Sequence, residues 1–160
     1  MKSIKICNFR LQIFFMKISR AKLKDLKALS ELFDAYRVFY KQESDIAAAK
    51  RFLKQRMMRN DSIIYIAYED EEAIGFTQLY PMFSSVSMQS MYILNDLYVV
   101  PNQRNKGIGE ALLDRAKHLC RSENNKGLGL QTAFDNPAQN LYSRLGFVKD
   151  TDLFFFWTNS

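Results

Sequence analysis

Apolar residues recur along this chain with two different periods. Leu23, Leu26, Leu29, Phe33 and Tyr36 stand three and four apart, and Ile46, Ala49, Leu53 and Met57 repeat the spacing. Each set places one apolar stripe on an α-helix. Ile108, Leu112, Leu113, Ala116, Leu119 and Cys120 mark a third helix in the same way. Other stretches are β-branched and aromatic. Ser62 to Tyr68 predicts a strand, Asp70, Glu71 and Glu72 an acidic turn, and Ala73 to Tyr80 the returning arm of a hairpin that Pro81 ends. Met88 to Val99 predicts a longer strand, and Lys126 to Ala133 a buried one. Asn136 followed by Pro137 reads as a helix start, since Asn caps well and Pro fits the first helical position. Gly146 is placed to end that helix. Met16 opens a first strand, and Phe147 onward, with Leu153 to Trp157, predicts one or two last strands. The order is β-α-α-β-β-β-α-β-α-β. It predicts an α/β (α+β) fold: a mostly antiparallel mixed sheet of six or seven strands with helices on both faces.

Composition narrows the picture. With 160 residues, 48% of them hydrophobic and 14% aromatic, the chain suits one packed domain. No apolar run reaches 18 residues, so no membrane span is expected. Met1 to Phe15 carries Lys2, Lys5 and Arg10 and no acid. A signal peptide or mitochondrial presequence fits poorly, because polar residues interrupt the apolar run and no small-residue cleavage site follows. Residues 1–15 are read as an extension outside the fold, and residues 16–160 as the single domain. The net charge is +6, and without those three basic residues it is +3. Nucleic-acid binding needs a clustered basic face, which this balance does not supply. Two cysteines, Cys7 and Cys120, suit a reduced, cytoplasmic chain with neither disulfide nor zinc site. His118 is the single histidine, so a metal site built on several histidines is excluded.

Candidate chemistry is concentrated in Val99-Val100-Pro101-Asn102-Gln103-Arg104-Asn105-Lys106-Gly107-Ile108-Gly109. It reads as a strand end, a glycine-containing turn and a helix start. Such a start exposes unpaired N–H groups and the positive end of the helix dipole, which together bind phosphate. A P-loop string is absent. In a dinucleotide-binding turn the third glycine position would be Leu112, and no βαβ unit surrounds it.

Arg104-x-x-Gly107-x-Gly109 after Leu97-Tyr98-Val99 resembles the coenzyme A signature of the GNAT N-acetyltransferase superfamily. Asn136-Pro137-Ala138-Gln139-Asn140-Leu141-Tyr142-Ser143-Arg144-Leu145-Gly146-Phe147 is similar to that superfamily's "Asn…Ala…Leu-Tyr…Gly-Phe" helix. Together with the element order, the resemblance covers Met16 to Ser160. The superfamily places Asn three residues before Ala. Here Asp135 stands three before Ala138 and Asn136 two, so either fills that position.

The resemblance implies an acetyl-CoA-dependent acetyltransferase. Backbone groups of Leu97, Tyr98 and Val99 would align the pantetheine arm like an added strand. Amides from Asn105, Lys106, Gly107, Ile108, Gly109 and Glu110, with Arg104 close by, would hold the pyrophosphate, and Asn136 would be a further cofactor contact. Tyr142 matches the general acid, since a phenol of pKa ~10 stays protonated at neutral pH and can protonate a departing thiolate. Asp96, one residue before the backbone clamp, is the candidate base, in a stretch similar to the polyamine acetyltransferase strand but with Asn95 where Glu is usual. Phe39, Tyr40, Glu43, Gln78, Tyr80 and Ser84 are expected to line the acceptor pocket. Gln-Leu-Tyr-Pro and Leu-Asn-Asp-Leu resemble bacterial members similar to histone and polyamine acetyltransferases.

The expected acceptor is therefore the primary amine of a small molecule such as a polyamine or amino acid. The alternatives are a protein amine (an N-terminus or a lysine), or a non-catalytic module that only binds coenzyme A. The apolar run Leu153-Phe154-Phe155-Phe156-Trp157 suggests a homodimer.

Overall fold

The computed structural model describes residues 16–159, so the expected extension, residues 1–15, lies outside the described residues. Its elements in chain order are β1 (Met16–Arg20), α1 (Leu26–Phe39), α2 (Ile46–Arg59), β2 (Ile63–Glu69), β3 (Glu72–Ser84), β4 (Gln89–Val99), α3 (Ile108–Ser122), β5 (Leu128–Leu130) and α4 (Gln139–Arg144). Short 3-10 turns at Leu23–Asp25 and Pro101–Gln103 lead into α1 and out of β4. The five strands lie in the order β1-β2-β3-β4-β5. All neighbours are antiparallel except β4 and β5, which run parallel. The sheet is mixed and mostly antiparallel, as expected.

The stripes of α1 and α2 share one side of this sheet and that of α3 takes the other. Leu23 and Ile46, expected in the first two stripes, stay exposed at the element starts. Leu26, Leu29, Leu32 and Phe33 of α1 and Ala49 and Leu53 of α2 pack with Ile64, Ile66, Phe76 and Tyr98. Ile108, Leu112, Leu113, Ala116 and Cys120 of α3 pack with Ile63, Tyr65, Leu79, Tyr92 and Leu94 on the opposite face. Burial of these two apolar faces is the main force holding the layers together. Asp45 begins α2 by accepting the Ala48 N–H at 2.8 Å. Buried Asp34 pins the loop between α1 and α2 by accepting from the Ser44 hydroxyl at 2.6 Å and the Asp45 N–H at 2.8 Å. The Ser44 hydrogen bond holds its carboxyl below the usual carboxylate range, although burial acts against it.

Three features depart from the sequence expectations. Pro81 does not end β3, which continues to Ser84. The last β2 partner of β3 is Leu79, so one edge of β3 is open at Pro81, where a residue without an N–H is tolerated. The strand expected over Lys126 to Ala133 shortens to Leu128–Leu130. The last strands do not form among the described residues, which leaves five strands rather than six or seven. Leu153 to Trp157 instead lie 69–84% exposed. High β-propensity makes a strand only against a partner edge, and a three-residue β5 offers little of one.

Candidate active site

The register of β4 sets the site. Gln78 pairs with Asp96 but Leu79 with Leu94, so Asn95 is an extra, bulged residue. A bulge bends its strand and reverses which face the following side chains take. Leu94 therefore faces α3, while Asp96 and Tyr98 face α1 and α2. On its other edge β4 pairs with β5 only from Tyr92 to Leu94. Past that point the two strands part. A cleft of about 400 Å³ opens between them, with Leu97, Tyr98 and Val99 on one side and Gln131 and Thr132 on the other. A volume of this size suits a small-molecule or cofactor site.

At one end of the cleft the chain turns sharply into α3. Asn105 and Gly107 both adopt left-handed backbone, with φ of 62° and 82°. Asn is among the residues that tolerate this region, and glycine does so freely. The first intrahelical bond of α3 runs from the Ala111 N–H to the Gly107 carbonyl at 3.0 Å. The amides of Ile108, Gly109 and Glu110 precede it, so helix geometry leaves them without a partner within the helix, at the positive end of the dipole. Asn105, Gly107, Ile108, Gly109 and Glu110 all line the cleft. Arg104 reaches back and donates from Nε to the Val99 carbonyl at 3.0 Å. Its guanidinium carbon lies 5.2 Å from the Phe39 ring centroid and 5.8 Å from that of Tyr98, a cation–π arrangement that ties the turn to the end of α1.

Tyr142 projects from α4 into the same cleft. Local sequence fixes it there. Gly146 (φ 84°) ends the helix in left-handed backbone. The Phe147 N–H returns to the Tyr142 carbonyl at 3.0 Å and the Gly146 N–H to that of Ser143 at 3.1 Å. This is a Schellman closure, with its expected apolar contact: the Tyr142 and Phe147 rings meet edge to face, centroids 5.9 Å apart. Burial, and then the neighbouring Tyr40, pushes the Tyr142 phenol above its ordinary pKa, so it keeps its proton at neutral pH.

Asn136 lines the cleft, and its side chain is also engaged within the chain. Oδ1 accepts from the Ala138 N–H at 3.0 Å and Nδ2 donates to the Thr132 hydroxyl at 2.8 Å. It closes the turn before α4 rather than capping the helix directly, since Ala138 is the flanking residue. Asp135 is exposed and outside the cleft lining.

The expected acceptor residues divide. Phe39 and Tyr40 line the cleft. Glu43, Gln78, Tyr80 and Ser84 do not. Glu43 is exposed, and its carbonyl accepts from Arg37. Gln78 is fully buried, and Ser84 sits far out on the β3–β4 arm. Tyr80 pairs with Ile93, its phenol pushed up to about 12 chiefly by burial. Lys106, expected among the cofactor residues, is exposed and not a lining residue, and it donates to the Gln103 side chain at 2.7 Å. Asp96 is 4% exposed and is not a lining residue. Burial pushes its carboxyl up, against opposing hydrogen bonds from Tyr36 and Asn95.

Sequence reading missed several cleft residues. Tyr36 was hidden in the apolar stripe of α1. Gln131 and Thr132 carry no motif. Arg144 pairs with Glu110 at 2.7 Å across 34 positions of sequence. That pair balances a carboxylate that would otherwise stand beside the helix-start amides.

Residues 26–147 match the acetyltransferase (GNAT) family. A Bacillus subtilis (strain 168) protein, the uncharacterized N-acetyltransferase YhfO, is 48% identical over 145 residues, 90% of this chain and 97% of its own. The crystal structure of a probable acetyltransferase superposes with a TM-score of 0.83 at 37% identity, over 90% of this chain and 97% of that one. A shorter match is the aminoglycoside N(6')-acetyltransferase type 1 of Klebsiella aerogenes, 30% identical over 98 residues, 60% of this chain and 62% of its own. The chain belongs to the GNAT family and is an N-acetyltransferase.

Proposed function

We propose that the enzyme takes its acetyl group from acetyl-CoA and passes it directly to a primary amine of a small cationic molecule. One observation carries this reading: a single cleft holds the helix-start amides, the unpaired edge of β4 and the Tyr142 hydroxyl. These parts suit the three regions of acetyl-CoA. The amides of Ile108, Gly109 and Glu110 and the positive charge of Arg104 suit its diphosphate. The edge from Leu97 to Val99 suits its amide-bearing arm, as one strand suits another. The bound thioester supplies the acetyl group, and Tyr142 supplies the proton that the departing sulfur requires.

The small-molecule acceptor rests on the walls. Tyr36, Phe39 and Tyr40 present aromatic rings where α1 meets the cleft, and such rings attract organic cations. The K. aerogenes relative is named for aminoglycosides, which are themselves small polyamines. Calorimetry is expected to show acetyl-CoA binding, and a free-thiol assay with spermidine, lysine and kanamycin to show amine-dependent release. Binding without release from any amine would leave only a coenzyme-binding module, and no binding at all would remove both readings. The proposal includes a homodimer in which a second copy covers Leu153 to Trp157. Gel filtration giving a monomer at every concentration rejects that part.

A further inference from the structure

A tyrosine stands between the buried carboxylate and the cleft. Asp96 is sealed from solvent, while Tyr36 of α1 lines the cleft. Phe76 pairs with Tyr98, and Gln78 pairs with Asp96, two positions further along the same strands and on the same face. The Tyr36 ring lies edge-on over the first pair, with centroids 5.9 Å from Phe76 and 6.2 Å from Tyr98. That position turns its hydroxyl toward the second pair, beside the Asp96 carboxylate, and each group shifts the pKa of the other. Tyr40, its ring centroid 5.0 Å from that of Tyr36, and Tyr142 line the cleft with it. Tyr80 stands two residues beyond Gln78 on the same face of β3, and the charges of Asp96, Arg56 and Asp61 all act on its phenol. The Asn95 amide donates to Asp96 Oδ1 at 3.2 Å. Gln78 donates to the Ser62 hydroxyl at 2.8 Å, and its own Oε1 has no partner among the described residues.

We propose that the Tyr36 hydroxyl is the group that meets the acceptor ammonium and that it relays the amine's proton to Asp96. The inference rests on the acetyl-CoA reading above. The ammonium gives one proton to Tyr36 Oη as the phenol's own proton passes to an Asp96 oxygen. Tyr36 ends unchanged, Asp96 becomes a carboxylic acid, and the amine lone pair is free. The nitrogen then bonds the acetyl carbon as the carbon–sulfur bond breaks. Tyr142 gives its proton to the sulfur, and the second proton leaving nitrogen restores Tyr142. Asp96 returns its proton to solvent after turnover.

The surroundings suit each part of this relay. Burial, and then the Asp96 charge, pushes the Tyr36 phenol far up, so it passes a proton on without ever standing as a phenolate. Burial also raises Asp96, which makes it a stronger base. The relay opens above the Asp96 pKa and closes as pH falls through it.

The test is the pH dependence of kcat/KM for thiol release, using whichever of spermidine, lysine and kanamycin the enzyme acetylates fastest. With the relay intact the enzyme draws on the abundant ammonium, so the profile is flat from about pH 7 to about pH 9. Without it only the rare neutral amine reacts. Tyr36→Phe and Asp96→Asn are each expected to lose about 100-fold at pH 7 and to regain about tenfold per pH unit. The double variant is expected to be no slower than the slower single one, because both act on one path. Tyr36→Phe keeps the ring and its packing, and unchanged acetyl-CoA affinity by calorimetry certifies the fold. A flat profile in either variant overturns the relay, as does a loss that is constant with pH. If Tyr36→Phe does not fold, a flat profile in Asp96→Asn still overturns the relay. Loss confined to Asp96→Asn shows the carboxylate acting without Tyr36 and also overturns it. In each of those cases the parent protein's amine-dependent thiol release leaves the acetyl-CoA reading standing. Its absence from the parent protein overturns both.

Discussion

Tyr142→Phe is expected to slow amine-dependent thiol release roughly 100-fold while leaving acetyl-CoA affinity unchanged, the loss typical of a missing general acid. The substitution removes one oxygen and keeps the ring. The edge-to-face contact with Phe147 and the packing on the α3 side of the sheet are retained. The Schellman closure uses the backbone of Tyr142 and is untouched. What is lost is the proton for the leaving sulfur. A thiol has pKa ~8.5 and a phenol ~10, and burial raises the Tyr142 phenol further. The phenol therefore holds its proton until a thiolate develops and then delivers it over a short path. Steady-state thiol release and calorimetry on the same preparation separate the two quantities. Near-normal turnover would leave Tyr142 as a packing residue. A parallel loss of coenzyme affinity would make it a wall of the site rather than a proton donor.

Long-period features of this protein were legible in its sequence. The stripes of α1, α2 and α3 announce themselves because a helix buries every third or fourth residue, and apart from Leu23 and Ile46, which stay exposed, their members join the two apolar clusters. The helix-start turn was legible because left-handed backbone at Gly107 demands an unusual residue. The Gly146-Phe147 ending was legible for the same reason.

Features set by tertiary pairing were not legible. Strict alternation along β4 would put Leu94 and Asp96 on one face, and the bulge at Asn95 puts them on opposite faces. That single extra residue moves Asp96 out of the cleft wall and under Tyr36. Tyr36 belongs to an apolar stripe by its ring, which packs as the stripe predicts. Its hydroxyl serves the other end of the side chain, and no periodicity distinguishes the two uses. Gln78 pairs with Asp96 and Tyr80 follows on the same face of β3, but neither lines the cleft, so a correct strand assignment did not by itself place them in its wall. The final run from Leu153 to Trp157 has strand composition and no edge to join.

Gly75→Ala is expected to weaken acetyl-CoA binding by about tenfold or more, an effect transmitted through backbone alone. Gly75 pairs with Val99, the last residue of β4. A Cβ added there would stand 2.7 Å from the Tyr98 carbonyl oxygen and 3.3 Å from Val99 Cγ2. The nearer atom is backbone, so no side-chain rotation relieves the contact, and β3 and β4 must shift apart. Overpacking of this kind costs about 1–3 kcal/mol, which in a domain of this size lowers Tm by roughly 3–10 °C. The shift falls on the Leu97–Val99 edge proposed for the acyl arm. It also disturbs the Val99 carbonyl that anchors Arg104 beside the helix start. Gly127→Ala is the matched control, since a Cβ there meets nothing within 4 Å. Calorimetry on the two variants at a temperature where both are folded isolates the effect on the site. If Gly75→Ala is destabilised yet binds acetyl-CoA as tightly as Gly127→Ala, the edge of β4 does not carry the acyl arm. The helix-start amides would then have to hold the coenzyme without it.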